Sequence, residues 1–365
     1  MTRRLVEIDS LPDFDAHAGG PARMSGWVVQ GLDLSERSAA LLAQDPRGAV
    51  FLGCHFAPEV EDELRRGGAL LFPRLPDLPF DPYRPGLYDA AQIYGDGPYA
   101  ASPDAAVYAW SRVPAPASLA HTLAATLHDH AVADALDDAT AGRDATSFVG
   151  VMGGHALRRG EPGYAAAAEL GGRLTAAGRT VLTGGGPGAM EAANLGAYLS
   201  PHPDALAPAL ELLAAAPTYH DGMDAWLRAA FAVLERWPLE RAGRSFSIPT
   251  WFYGHEPTNV FATGIAKYFA NALREDTLLH RCRGGIVYLP GQAGTVQEIF
   301  QAVTENFYAA DPAQIAPMVL VGVEHWTTTY PAWPLLQSLG DGRRMGAVLH
   351  CVDTVAEAAQ LLGRD

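Results

Sequence analysis

The chain has 365 residues, more than one compact domain ordinarily holds, so two domains are expected. Its 41 acidic residues against 26 basic ones leave a net charge of −15, which excludes broad contact with nucleic acid or an anionic membrane and requires any anion site to be local. Cys54, Cys282 and Cys351 form neither a disulfide framework nor a zinc pattern, and no apolar run reaches membrane-spanning length, so a reducing cytoplasm is the expected location.

Residues 1–145 read as a smaller N-terminal α/β domain of unknown role. Its first 45 residues are weakly patterned and interrupted by Gly19-Gly20-Pro21. Ala49–Gly53 then predicts a buried strand, Pro58–Arg66 a helix opened by proline and closed by Gly67-Gly68, and Ala69–Phe72 a second strand. Pro73–Pro103 is too rich in proline for regular structure, and Ala106–Trp110 is expected as a strand. Ser118 caps a helix reaching about Asp138, with Leu119, Leu123, Leu127 and Leu136 along one stripe. His121 and His128 share a face of that helix while His130 lies around the cylinder, so no metal site is expected. The polar segment Asp137–Asp144 is the expected domain boundary.

The second domain, residues 146–365, opens with a strand ending in Gly153 and Gly154, then a helix over Tyr164–Ala177 and the strand Thr180–Thr183. Two parallel strands joined by a helix begin a doubly wound, mostly parallel Rossmann-like α/β sheet. Gly184-Gly185-Gly186-Pro187-Gly188-Ala189 matches the dinucleotide pattern, but no acid ends a strand about twenty residues on, so NAD is rejected and a phosphate loop leading into a helix from Met190 remains. A helical insertion occupies about 201–245; its second helix, Met223–Trp237, carries an apolar side explained by packing. Ser247–Tyr253 is expected to resume the sheet, Gly254–Asn259 to turn beyond its end, and a long helix to run from Phe261 past Leu273 to Arg274. Lys267, the single lysine of the sequence, is expected at the surface.

The most informative stretch follows. Gly285–Leu289 reads as a strand buried on both faces, and Pro290-Gly291-Gln292-Ala293-Gly294-Thr295 as a glycine-rich turn opening a helix through Val296, Ile299, Phe300 and Val303. The free amides of such a helix start suit a phosphate. Glu298, expected in the first turn, would repel that phosphate unless held apart from it, which argues for a second role. Pro317–Val323, Val348–Val352 and a helix over Thr354–Leu362 complete the domain.

Pro290-Gly291-Gln292-Ala293-Gly294-Thr295-Val296-Gln297-Glu298 resembles the P-G-G-x-G-T-x-x-E signature of the LOG (Lonely Guy) family of nucleoside 5′-monophosphate phosphoribohydrolases, departing at Gln292, which should tighten the turn. Gly184–Met190 resembles a shortened form of the family's G-G-G-x-x-G-x-M loop. The likeness runs from about Ser147 to the C-terminus. It implies AMP-like substrates, ribose 5-phosphate and free base as products, no cofactor or metal, and a homodimer or larger homo-oligomer. By this likeness Glu298 and Arg274 are the expected catalytic residues, with Arg281 the substitute for Arg274, since the E-x-x-R-K motif is incomplete. Gly153, Gly154, Gly184, Gly185, Gly186, Gly188, Met190, Gly291, Gln292, Ala293, Gly294 and Thr295 are the expected phosphate- and substrate-binding set. The rival expectation is a LOG-like carrier that binds a nucleotide or molybdopterin-type cofactor without chemistry; a pyridoxal phosphate decarboxylase is disfavoured, because only Lys267 is available and no cofactor motif surrounds it.

Overall fold

A computed structural model describes residues 5–19, 23–112, 118–252 and 256–363. The described chain divides into two compact units, one within Met1–Leu87 and Val113–Leu136, the other within Tyr88–Arg112 and Asp137–Asp365. The break between Leu136 and Asp137 abuts the boundary segment expected at Asp137–Asp144, while the grouping of Tyr88–Arg112 with the larger unit differs from the single cut expected near residue 145. Tyr88–Arg112 groups with the larger unit because Tyr88 exchanges two 2.9 Å backbone bonds with Ile265, and the Tyr94 hydroxyl donates to the Thr258 carbonyl at 2.5 Å. The second break falls inside the helix Leu119–Thr140, not in a linker, because Arg281 holds Asp137 and Thr140 at its C-terminal end.

The smaller unit holds four parallel strands, β1 (Val6–Ile8), β2 (Trp27–Gln30), β3 (Val50–Leu52) and β4 (Leu70–Phe72), side by side in chain order. Helices Leu11–Ala18 and Pro58–Arg66 lie in the first and third connections. Sequential parallel strands of this kind make a short solenoid, and the sequence repeats accordingly. Trp27, Val29, Leu32 and Leu34 recur twenty-two residues on as Ala49, Phe51, Cys54 and Phe56, and all eight are buried. The weakly patterned first 45 residues therefore contain the first two strands.

Two local readings change. Ala106–Trp110 lies in a helix, Pro103–Ser111, started by Ser102, whose hydroxyl accepts from the Ala105 amide at 3.1 Å, with Pro103 at the first helical position. In the helix Leu119–Thr140 the leucine stripe is buried at Leu136 but not at its start: Leu119 and Leu123 are exposed, and Ala124, His128 and Val132 are buried. His128 packs edge-on to Phe80 with ring centroids 5.2 Å apart, and burial lowers its pKa.

The larger unit is built on a parallel sheet of β5 (Phe148–Met152), β6 (Thr180–Thr183), β7 (Ser245–Ser247), β8 (Gly264–Ile265), β9 (Ile286–Tyr288), β10 (Met318–Val321) and β11 (Leu349–Val352). The spatial order β11-β10-β9-β5-β6-β7-β8 makes it a doubly wound, Rossmann-like α/β fold, with the chain reversing direction across the sheet beside β5. A ligand crevice is expected beyond the strands' carboxyl ends at that point. Helices Pro162–Ala176 and Ala189–Leu199 cross in close contact: a Cβ on Gly196 would lie 1.7 Å from the Ala168 carbonyl oxygen, and one on Gly171 2.0 Å from that of Ala193.

Around β7 and β8 tertiary pairing overrides the sequence pattern. β7 ends at Ser247, earlier than expected; beyond it the Ile248 amide still donates to the Thr183 carbonyl at 2.8 Å and Thr250 makes an isolated parallel bridge to Tyr268, while Tyr253, Gly254 and His255 lie outside the described residues. Phe261, Ile265 and Tyr268 have helical spacing, yet they are buried because β8 pairs beside β7 and bonds to Tyr88; the helix is only Asn271–Arg281. Lys267 is not at the surface. It is 1% exposed, bonded to Asp104 at 2.6 Å and 4.9 Å from the Trp251 ring centre. The insertion helices are Leu206–Ala214 and Met223–Arg236. Arg159 pins the second one: it pairs with Glu191 through two bonds, donates to the Trp226 carbonyl at 2.8 Å and stacks on the Trp226 ring. No helix among the described residues is long and apolar enough to cross a membrane.

Candidate functional site

Five loops following β5, β6, β7, β9 and β10 enclose a cleft of about 830 Å³, within the range of small-ligand pockets. Backbone bonds tie three of them together: Gly154 N–H donates to the Pro290 carbonyl and Ala189 N–H to the Gly154 carbonyl, each at 3.1 Å. The helix Ala293–Tyr308 begins at Gln292 with no side-chain cap, so its first amides have no local side-chain acceptor at the cap position. Gly291 packs against Thr295; a Cβ there would meet Thr295 Oγ1 at 2.1 Å. Gly294 has open space above it. Gln292 has φ −117°, so the backbone at the position where the family carries glycine does not require one.

Gly153, Gly154, Gly184, Gly186, Met190, Gly291, Gln292, Ala293, Gly294, Thr295, Arg274 and Glu298 all line this cleft. Gly185 and Gly188 do not. Gly185 packs on Pro249 with φ +75°, and Gly188, with φ +72°, lies against the backbone of Gly154 and His155, so both shape the loop from behind. Arg281 is turned away to Asp137 and Thr140, which leaves Arg274 as the arginine of the cleft.

Glu298 is the sixth residue of its helix, one turn deeper than expected, so its carboxylate sits beside the uncapped helix start and not on it. Its side chain is 12% exposed, and Arg274 Nη1 lies 3.5 Å from Oε1. That is too long for a strong hydrogen bond, and Arg274 Nε and Nη1 are buried without a hydrogen-bond partner among the described residues. Burial pushes the Glu298 carboxyl up to about 7; Arg274 opposes the rise and the neighbouring Glu275 adds to it. Glu275, itself buried, accepts from Gln297 Nε2 at 2.5 Å.

The sequence pattern did not single out Glu275, Gln297, His155 or His325 as cleft residues, and indicated Glu256 only as part of the turn beyond the sheet's carboxyl end. His155 and Glu256 face each other at 3.4 Å. His325 opens a π-helical turn, His325–Thr329, after β10, and its Nε2 is 2.9 Å from the Gly291 carbonyl oxygen. Such turns frequently mark functional sites, but no motif announces this one.

No family model matches the sequence, and no curated protein matches it. Among solved structures the chain is similar to a molybdenum cofactor carrier protein from Chlamydomonas reinhardtii, at 19% identity and a TM-score of 0.35, across 60% of this chain and 98% of that one. Another structure of the carrier protein from Chlamydomonas reinhardtii gives 20% identity and a TM-score of 0.33, across 59% and 96%. TM1055, a structural-genomics target, gives 18% and 0.36, across 59% and 97%.

Proposed function

We propose that this cleft hydrolyses the N-glycosidic bond of a nucleoside 5′-monophosphate, with an AMP-like ligand as substrate. The observation that carries the reading is the buried Arg274–Glu298 pair, whose guanidinium retains unpartnered donors between two glycine loops. The phosphate would lie on the amides of the Gly186 loop and of the helix start at Ala293–Thr295. Arg274 would donate to the phosphate or a ribose oxygen and orient Glu298. As the bond from C1′ to the base breaks, its electron pair leaves with the base and positive charge develops on the ribose; ionised Glu298 stabilises that charge or takes a proton from the attacking water. The water oxygen bonds to C1′, and its proton ends on the base.

The test is a panel of purine and pyrimidine nucleoside monophosphates, assayed without added metal or NAD for free base and ribose 5-phosphate. At least one should turn over, and its nucleoside should react about a hundredfold or more slowly in kcat/KM, because binding energy from the remote phosphate orients the reacting centre. Equal rates for nucleoside and nucleotide would remove the phosphate from the reading.

The cleft's size admits one second reading. At about 830 Å³ it lies toward the upper end of small-molecule pockets, a size that does not separate a mononucleotide from a pterin-type cofactor, so carriage without chemistry is the second reading. Tight nucleotide or cofactor binding with no base released across the whole panel would decide for the carrier.

A further inference from the structure

Beneath the Gly184–Gly186 loop lies a buried polar network that no step above uses. The Thr183 hydroxyl accepts from the Gly185 amide at 3.0 Å and donates to Asn194 Oδ1 at 2.6 Å. Asn194 Nδ2 donates to Ser245 Oγ at 3.2 Å. Asn259 reaches the same loop from the far side of the cleft wall, two residues after Pro257: its backbone N–H donates to the Gly185 carbonyl at 2.8 Å, and its Nδ2 lies 3.2 Å from the Gly186 carbonyl oxygen and 3.1 Å from Asn194 Oδ1. Asn259 Oδ1 accepts from the Phe261 amide at 3.2 Å. Thr183, Asn194, Ser245 and Asn259 are each fully buried.

The direction of these bonds matters. A trans peptide sets its carbonyl and the following N–H on opposite sides. Holding the Gly185 carbonyl toward Asn259 therefore turns the Gly186 N–H away from Asn259, and Gly186 is a lining residue of the cleft. The Gly186 carbonyl, which would repel an anion, is held by Asn259 Nδ2, and the next residue, Pro187, has no amide to offer. Four buried side chains with mutually satisfied donors and acceptors have little freedom to rearrange, so the loop is preorganised.

We propose that Asn259, braced by Asn194 and Thr183, is a positioning residue that aims the Gly186 amide at the phosphate of the bound ligand and keeps the loop's carbonyls away from it. The network rests on the phosphate-site reading above but not on the hydrolysis. Its function is to make the loop selective for anions before any ligand arrives.

The experiment is calorimetric titration of the full chain with inorganic phosphate and with ribose 5-phosphate, D-ribose serving as the control without phosphate. Asn259→Ala should weaken both phosphate ligands about tenfold or more, the range for losing a hydrogen bond to a charged group. Thr183→Val keeps the side-chain shape and removes the hydroxyl, and should weaken phosphate binding in the same sense; Thr183→Ser keeps the hydroxyl and should bind as the unsubstituted chain does. This second pair decides the matter if Asn259→Ala does not fold. A folded Asn259→Ala or Thr183→Val protein that binds phosphate with unchanged affinity overturns the positioning role alone. An unsubstituted chain that binds neither phosphate ligand overturns the phosphate site with it.

Discussion

Glu298→Gln should lower turnover by roughly two to four orders of magnitude, the range for a positioned catalytic group, while leaving affinity for ribose 5-phosphate within a few-fold of the unsubstituted protein. The substitution keeps the shape of the side chain and a hydrogen-bonding group, and the helix Ala293–Tyr308 that presents it does not depend on its charge for a cap. The pH profile supplies a second readout. Burial holds the Glu298 carboxyl at about 7, and the form that stabilises positive charge or accepts a proton is the ionised one. For the unsubstituted protein, kcat/KM should therefore rise with pH through about 7 and level off above it, since this parameter reports groups of the unliganded protein. Glu298→Gln should lack that limb. Undiminished hydrolysis by the glutamine variant would take Glu298 out of the mechanism, and a limb that survives the substitution would assign the titration to another group.

Lys267→Met should destabilise the protein by about 3–5 kcal/mol, the cost of leaving one member of a buried ion pair uncompensated. Asp104 is 3% exposed, and Lys267 Nζ at 2.6 Å is its cationic partner. The Trp251 indole N–H at 2.9 Å and the Tyr99 hydroxyl at 3.1 Å also donate to this carboxylate, but as neutral groups they do not neutralise it. The double variant Lys267→Met/Asp104→Asn should recover much of the loss, because it leaves no buried charge and the amide oxygen still accepts from the Trp251 indole. Urea denaturation at neutral pH measures both. A loss below about 0.5 kcal/mol, the scale of a surface substitution, would mean that the pair is not buried as described.

The parallel sheet and the two glycine loops were legible in the sequence because their signals are local. Ile286–Tyr288 is an apolar run buried on both faces, and a strand followed by glycine and a helix has few other conformations open to it. The Ser102-Pro103 start of a helix was equally local and was passed over because Ala106–Trp110 is rich in residues that also suit strands. The solenoid went unread for a different reason: its turns are recognised only by comparing positions twenty-two residues apart, and Ala49 or Cys54 alone carries no such pattern.

What the sequence by itself determined is the succession of β5, β6, β9, β10 and β11 with the loops that follow them, and with it residues that line the cleft: Gly153, Gly186, Gly291, Gly294 and Glu298 among them. Tertiary structure alone decided which arginine faces the cleft. Arg274 and Arg281 stand on one helix seven residues apart, nearly two full turns, so periodicity gives them similar faces. Their different fates follow from what meets each end of that helix, Glu298 at the first and Asp137 with Thr140 at the second. The same holds for Lys267, which composition places at the surface and an aspartate 163 residues away holds in the interior. Charge partners, unlike helix and strand periods, are chosen across the fold, and nothing in the spacing of a chain along its length records them.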